Sequence, residues 1–203
     1  MGLIKSFRAL RRESRALVVA QVTGLFNLLY AALQIVVGLY FGSFFLVASG
    51  LFSLANGGAK FVFINGWRRG DDTKHLYVGY VLMMGAGLFY AIYNTRFFIG
   101  HSFPSYGLIP AIAIATLSFV QMAVSIVNVV RYKGTGPSIM AIKILALVSG
   151  ATAIMLTQMC LLAVMKPDMY QGYNAYLAIA IGVATLVLGA IALTKTAKRT
   201  KIK

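Results

Sequence analysis

What most constrains this chain is a series of long apolar runs that no water-soluble domain could bury. Six are separated by short polar connections: about Ala16 to Phe41, Ser43 to Trp67, Leu76 to Phe98, Tyr106 to Val130, Ser138 to Met165 and Tyr173 to Thr194. A helix needs about 20 mostly apolar residues to cross the hydrocarbon of a bilayer, and these runs reach that length with some tilt to spare. In lipid every backbone N–H and C=O must be satisfied within the protein, which leaves helices or closed barrels; uninterrupted runs this long are helices. The breaks carry turn chemistry: Gly42-Ser43, Gly70-Asp71-Asp72, His101 to Ser105 with Pro104, Gly134 to Pro137, and Lys166-Pro167-Asp168. The expected fold is therefore all-α, a polytopic membrane protein with a six-helix transmembrane bundle. Composition agrees, with 60% hydrophobic and only 11% charged residues, where a soluble domain averages about a quarter charged.

The charge is strongly sided. Nineteen Lys and Arg face four acids, Glu13, Asp71, Asp72 and Asp168, for a formal charge of +15. The basic residues gather before the first run (Lys5, Arg8, Arg11, Arg12, Arg15), in the second and fourth connections (Arg68, Arg69, Lys74; Arg131, Lys133), and after the last run (Lys195, Lys198, Arg199, Lys201, Lys203). On the other side stand only Arg96 and Lys166. The positive-inside rule then puts both termini in the cytoplasm, consistent with six crossings. The expected organisation is a basic cytoplasmic segment over residues 1–15, a six-span domain over 16–194 and a basic tail over 195–203. The first apolar run exceeds a secretory core and lacks an Ala-x-Ala cleavage site, so it reads as a retained span rather than a signal peptide. The expected location is a plasma or bacterial inner membrane, crossed several times, with anionic lipids at the cytoplasmic face as partners. Residues Leu3 to Arg15 fit either a basic amphipathic helix on that face or a solvated topology signal.

Several chemistries lack their residues. One cysteine, Cys160, leaves no intrachain disulfide or thiolate cluster. There is no His-Glu-x-x-His, Walker loop, Gly-x-Ser-x-Gly or Cys-x-x-Cys. The two histidines, His75 and His101, fall on opposite sides of the expected topology. We expect no enzyme, no cofactor, no resident metal and no nucleic-acid partner.

Polar residues within the spans carry the functional information. In the second span Ser49, Ser53, Asn56 and Lys60 share one helical face; in the fourth, Ser118, Gln121, Ser125 and Asn128 do the same. Gln21, Asn27 and Gln34 mark the first span, and Lys143, Ser149 and Thr152 the fifth. Such groups avoid lipid, so these faces should point into the bundle. Two readings stay open: interhelical hydrogen bonds that hold the helices together, or a polar pathway that binds a solute. Ser49, Ser53, Asn56, Lys60, Gln121, Ser125, Asn128 and Lys143 are the candidate substrate-binding residues. Lys60 and Lys143 are the basic residues well inside spans, at similar depth near the cytoplasmic end. They would either snorkel to the surface or form a positive ring that favours anions and opposes cations. Gly182 to Gly189 and Gly85-Ala86-Gly87 should permit close helix approach.

From about Leu28 to Tyr93 the chain resembles the transmembrane domain of cation diffusion facilitators. The resemblance rests on Gly38, Gly42-Ser43, Leu46 to Ser49, Ser53-Leu54, Arg68-Arg69, Asp71-Asp72 and His75-x-Tyr77-x-Gly79-Tyr80, with a weaker echo over Ala141 to Leu156. It implies six spans with cytoplasmic termini, a homodimer, and exchange of divalent metal for protons. In that family Asp and His between spans two and five hold the metal. The matching positions here are Ser49, Phe52, Asn56, Ala146 and Gly150, none with a carboxylate or imidazole. Divalent ions need such ligands to offset dehydration. The family's cytoplasmic metal-binding domain has no counterpart in this sequence either. The expectation is a transporter-like scaffold without the zinc site that moves or binds a small solute. The alternative is a non-transporting accessory, scaffold or immunity-type subunit that anchors a membrane-protein partner.

Overall fold

The computed structural model describes residues 12–69, 72–96, 108–131, 137–165 and 171–201. They form six helices: α1 (Arg12–Tyr40), α2 (Phe44–Arg69), α3 (Asp72–Asn94), α4 (Leu108–Arg131), α5 (Pro137–Met165) and α6 (Gln171–Lys201). Among the described residues there is no strand. Five helices contain stretches long and apolar enough to cross a membrane; in α4 that stretch, Ala111–Val127, is shorter. The outward faces are apolar. On α1, Val18, Val22, Leu25, Leu29, Leu33 and Val36 repeat every three or four residues and are all exposed, a stripe that lipid can cover at low cost.

The helix ends differ from the hydropathy edges. Helix α1 already runs from Arg12, inside the basic segment, and α6 continues through the basic tail to Lys201. Lys and Arg are good helix formers, so charge ends an apolar run without ending the helix. The turn between α1 and α2 is set by Gly42, whose φ is +65°. Ser43 N–H donates to the Gly38 carbonyl at 2.7 Å and Gly42 N–H to that of Leu39 at 3.3 Å, the paired bonds of a Schellman C-cap. Ser43 then caps α2, its hydroxyl accepting from Leu46 N–H at 3.3 Å.

Helices α1, α2, α5 and α4 close a ring in which each packs on the next, while α3 and α6 pair with each other and flank α2 and α5. The neighbours of α1, α2 and α3 are thus repeated by α4, α5 and α6. With three helices in each half, the second half runs in the opposite direction, the pattern of an inverted repeat. The α3–α6 pair is in backbone contact. A methyl group on Gly87 would lie 2.7 Å from the Gly182 carbonyl oxygen, and one on Gly182 would lie 2.8 Å from that of Gly87. A methyl on Gly189 would lie 2.6 Å from the side-chain Cγ of Met84. Gly85 departs from the sequence expectation: nothing stands within 4 Å of its missing side chain. One aromatic and aliphatic core, including Phe52, Phe63, Tyr80, Tyr90, Met155 and Leu156, ties the ring to the flanking pair.

Candidate polar site within the bundle

Three buried polar stripes enter the four-helix ring. Helix α1 contributes Thr23, Asn27, Tyr30 and Gln34, spaced at i, i+4, i+7 and i+11 and hence on one face. Helix α2 contributes Ser49, Ser53, Asn56 and Lys60, and α4 contributes Ser118, Gln121 and Ser125, all buried.

Two hydrogen bonds fix how the stripes align. The Lys60 ammonium, only 2% exposed, donates to Thr23 Oγ1 at 2.8 Å, and Thr23 Oγ1 donates to the Ala20 carbonyl at 3.2 Å. Farther along α1, Tyr30 Oη and Ser118 Oγ are hydrogen-bonded at 2.6 Å. Helix α1 runs antiparallel to both α2 and α4, so one turn forward on α1 matches one turn back on each partner. Asn27 lies a turn beyond Thr23, Asn56 a turn before Lys60, and Gln121 a turn past Ser118. By register these three amides occupy one layer, between the Lys60–Thr23 bond and the Tyr30–Ser118 bond. Ser125, a turn past Gln121, falls level with Lys60 and Thr23.

Two amides of this layer have unsatisfied atoms. Asn56 Nδ2 and Oδ1 and Gln121 Oε1 are buried without a hydrogen-bond partner, as are both polar atoms of Gln34. The great majority of buried polar side-chain atoms have partners, and an amide left without one costs roughly 1–3 kcal/mol.

The candidates from sequence therefore separate. Ser49 is held structurally: its hydroxyl bonds Tyr90 Oη at 3.2 Å, and Tyr90 Oη reaches Met155 Sδ at 3.8 Å. The Tyr90 ring stacks on Phe52 with centroids 4.6 Å apart. Ser53 is buried on the same stripe. Ser125 is buried against α5, where a methyl on Gly150 would stand 3.2 Å from its Cβ. Asn56 and Gln121 carry the unpartnered atoms. Lys60 does not snorkel; it stays inside on Thr23. Lys143 is half-buried rather than enclosed, so the two lysines differ in burial. The Asn128 side chain lies outside the described residues.

Thr23, Tyr30 and Tyr90 were not candidates from sequence. The 4-3-4 spacing of Thr23, Asn27, Tyr30 and Gln34 was the available signal for the first two. Gln21 sits apart from the stripe: its amide oxygen, in the orientation that satisfies both groups, accepts from Arg68 Nη2 at 2.5 Å. Ser49, Phe52, Asn56, Ala146 and Gly150, the positions that the sequence resemblance sets against the metal site of cation diffusion facilitators, are all buried. Among the described residues no group of three or more His, Cys, Asp or Glu could hold a metal ion. In comparisons with known proteins, neither a family model nor a curated protein sequence matches the chain.

Proposed function

We propose that the protein is a small transport-type membrane bundle that binds a small solute inside the α1–α2–α5–α4 ring, on a scaffold resembling cation diffusion facilitators without their metal site. The unpartnered amide of Asn56 and amide oxygen of Gln121, in one layer by helix register, carry this reading. Within a bilayer no bulk water relieves such groups, and polar residues kept there mark pathways and binding sites. The polar groups on adjacent layers, Lys60–Thr23 and Tyr30–Ser118, already have helix-to-helix partners. The amides between them have hydrogen-bonding capacity to offer a guest. The protein resides in a plasma or bacterial inner membrane with both termini cytoplasmic; the sided distribution of its basic residues supports that orientation. The family resemblance supports a homodimer.

Accessibility to water tests the reading. In a Cys160→Ser background reconstituted in liposomes, Asn56→Cys and Gln121→Cys should react with a small water-soluble methanethiosulfonate. Leu29→Cys, on the lipid face, should not. Failure of both interior cysteines to react would mean a sealed bundle, and would favour the non-transporting subunit.

A further inference from the structure

We propose that the guest of this interior site is a small oxyanion, held by the Lys60 ammonium and the Asn56 amide with the Thr23 and Ser125 hydroxyls level with the ammonium. This rests on the ring being open to solutes, as proposed above. Lys60 lies seven residues before Trp67, about 10 Å along the helix at 1.5 Å per residue. Its stem runs along α1, where a methyl on Gly24 would be 3.6 Å from Lys60 Cδ. The ammonium has three N–H donors, and the Thr23 hydroxyl is the partner it has among the described residues. The four acids of the chain, Glu13, Asp71, Asp72 and Asp168, all lie in or beside the basic segments and connections, so no carboxylate within a span can neutralise it. A lone charge in low dielectric is costly until an opposite charge or water approaches it.

The chemistry selects the guest's sign and shape. A cation would be repelled by Lys60, and a neutral solute would leave the ammonium uncompensated. The available donors come from two helices: the ammonium and Asn56 Nδ2 from α2 and the Ser125 hydroxyl from α4, while the Thr23 hydroxyl of α1 gives its proton to the Ala20 carbonyl and receives one from Lys60. A guest with several acceptor oxygens suits donors arriving from different directions, and its bonds to the ammonium are charge-assisted. Exposed Arg68, Arg69, Lys74, Lys195 and Lys198 stand at the same end of the bundle and would draw anions toward it. The oxyanion could be free or the phosphate of a lipid headgroup, and these two sources are separable.

Purified protein should be examined by thermal unfolding with inorganic phosphate and by native mass spectrometry with phosphatidylglycerol. Lys60→Gln should weaken binding of one probe by about ten-fold or more, the loss of a charge-assisted hydrogen bond. Lys60→Arg, which keeps the charge, should retain most of it and guards against a folding defect in the Gln variant. Lys143→Gln should have little effect. Loss confined to phosphate identifies a free oxyanion, and loss confined to phosphatidylglycerol identifies a headgroup. Binding unchanged in folded Lys60→Gln, or weakened equally by Lys143→Gln, would overturn the proposal. Labelling of Asn56→Cys would in that case still decide separately whether the interior is open.

Discussion

The α3–α6 crossing is close enough that one added methyl group should force the two helices apart. In Gly182→Ala the new methyl would start 2.8 Å from both the Gly87 carbonyl oxygen and the Ala91 nitrogen, and 2.9 Å from the Ala91 methyl. Carbon contacts are comfortable at about 3.5–4.0 Å, so the helices must part by roughly 0.5–1 Å. A gap of that size forfeits a quarter to a half of each affected contact. With about 40 atom pairs across such a crossing, at 0.1–0.2 kcal/mol each, the loss is roughly 2 kcal/mol. That agrees with the 1–3 kcal/mol usual for overpacking. Gly85→Ala is the internal control, because it sits on the same helix pair with open space around it. It should be neutral, or stabilising by up to about 1 kcal/mol through helix propensity. Thermal unfolding of the two variants in one detergent should separate their midpoints by several degrees. Equal midpoints would refute backbone contact between α3 and α6.

Three further outcomes are expected. Tyr90→Phe should cost about 0.6–1 kcal/mol by unfolding, the worth of its bond to Ser49, while Tyr90→Ala, which empties a fully buried site, should cost about 3–5 kcal/mol. Ser102→Cys and Gln171→Cys in the Cys160→Ser background should be labelled by impermeant reagents from outside the cell; labelling only from the cytoplasmic side would reverse the topology. Isothermal titration with zinc, cadmium or manganese should show no stoichiometric heat, and a micromolar site abolished by Asn56→Ala would contradict the argument that these side chains cannot hold a divalent ion.

Much of the fold was legible because lipid imposes one periodicity on every span. Runs of apolar residues located the six helices, and Gly42-Ser43 announced the first turn. The stripes on α2 and α4 were visible as spacing alone. What spacing could not say was which polar group finds a partner. Ser49 and Asn56 look alike on a helical wheel, yet Tyr90 of α3 reaches Ser49 and nothing reaches Asn56. Tyr30 and Thr23 escaped notice because an aromatic and a β-branched residue read as ordinary filling in an apolar run. Gly85 and Gly87 differ by two residues and so point to different sides of α3, a distinction that depends on where α6 lies. Lys60 and Lys143 seemed equivalent by depth, but rotation about the helix axis encloses one and leaves the other half-buried.

The repetition of α1–α3 by α4–α6 has a consequence for insertion. A body whose second half reproduces the neighbours of the first in reverse looks much the same to the bilayer from above and below. Helix packing gives no preference for one way up, since turning the whole molecule over leaves every internal contact as it was. Lipid thickness is equally indifferent. The decision falls to charge, and here the bias is heavy: fifteen Lys and Arg belong to the terminal segments and the second and fourth connections, against two in the third and fifth. A chain of this kind with its basic residues evened out would be expected to enter the membrane in both directions.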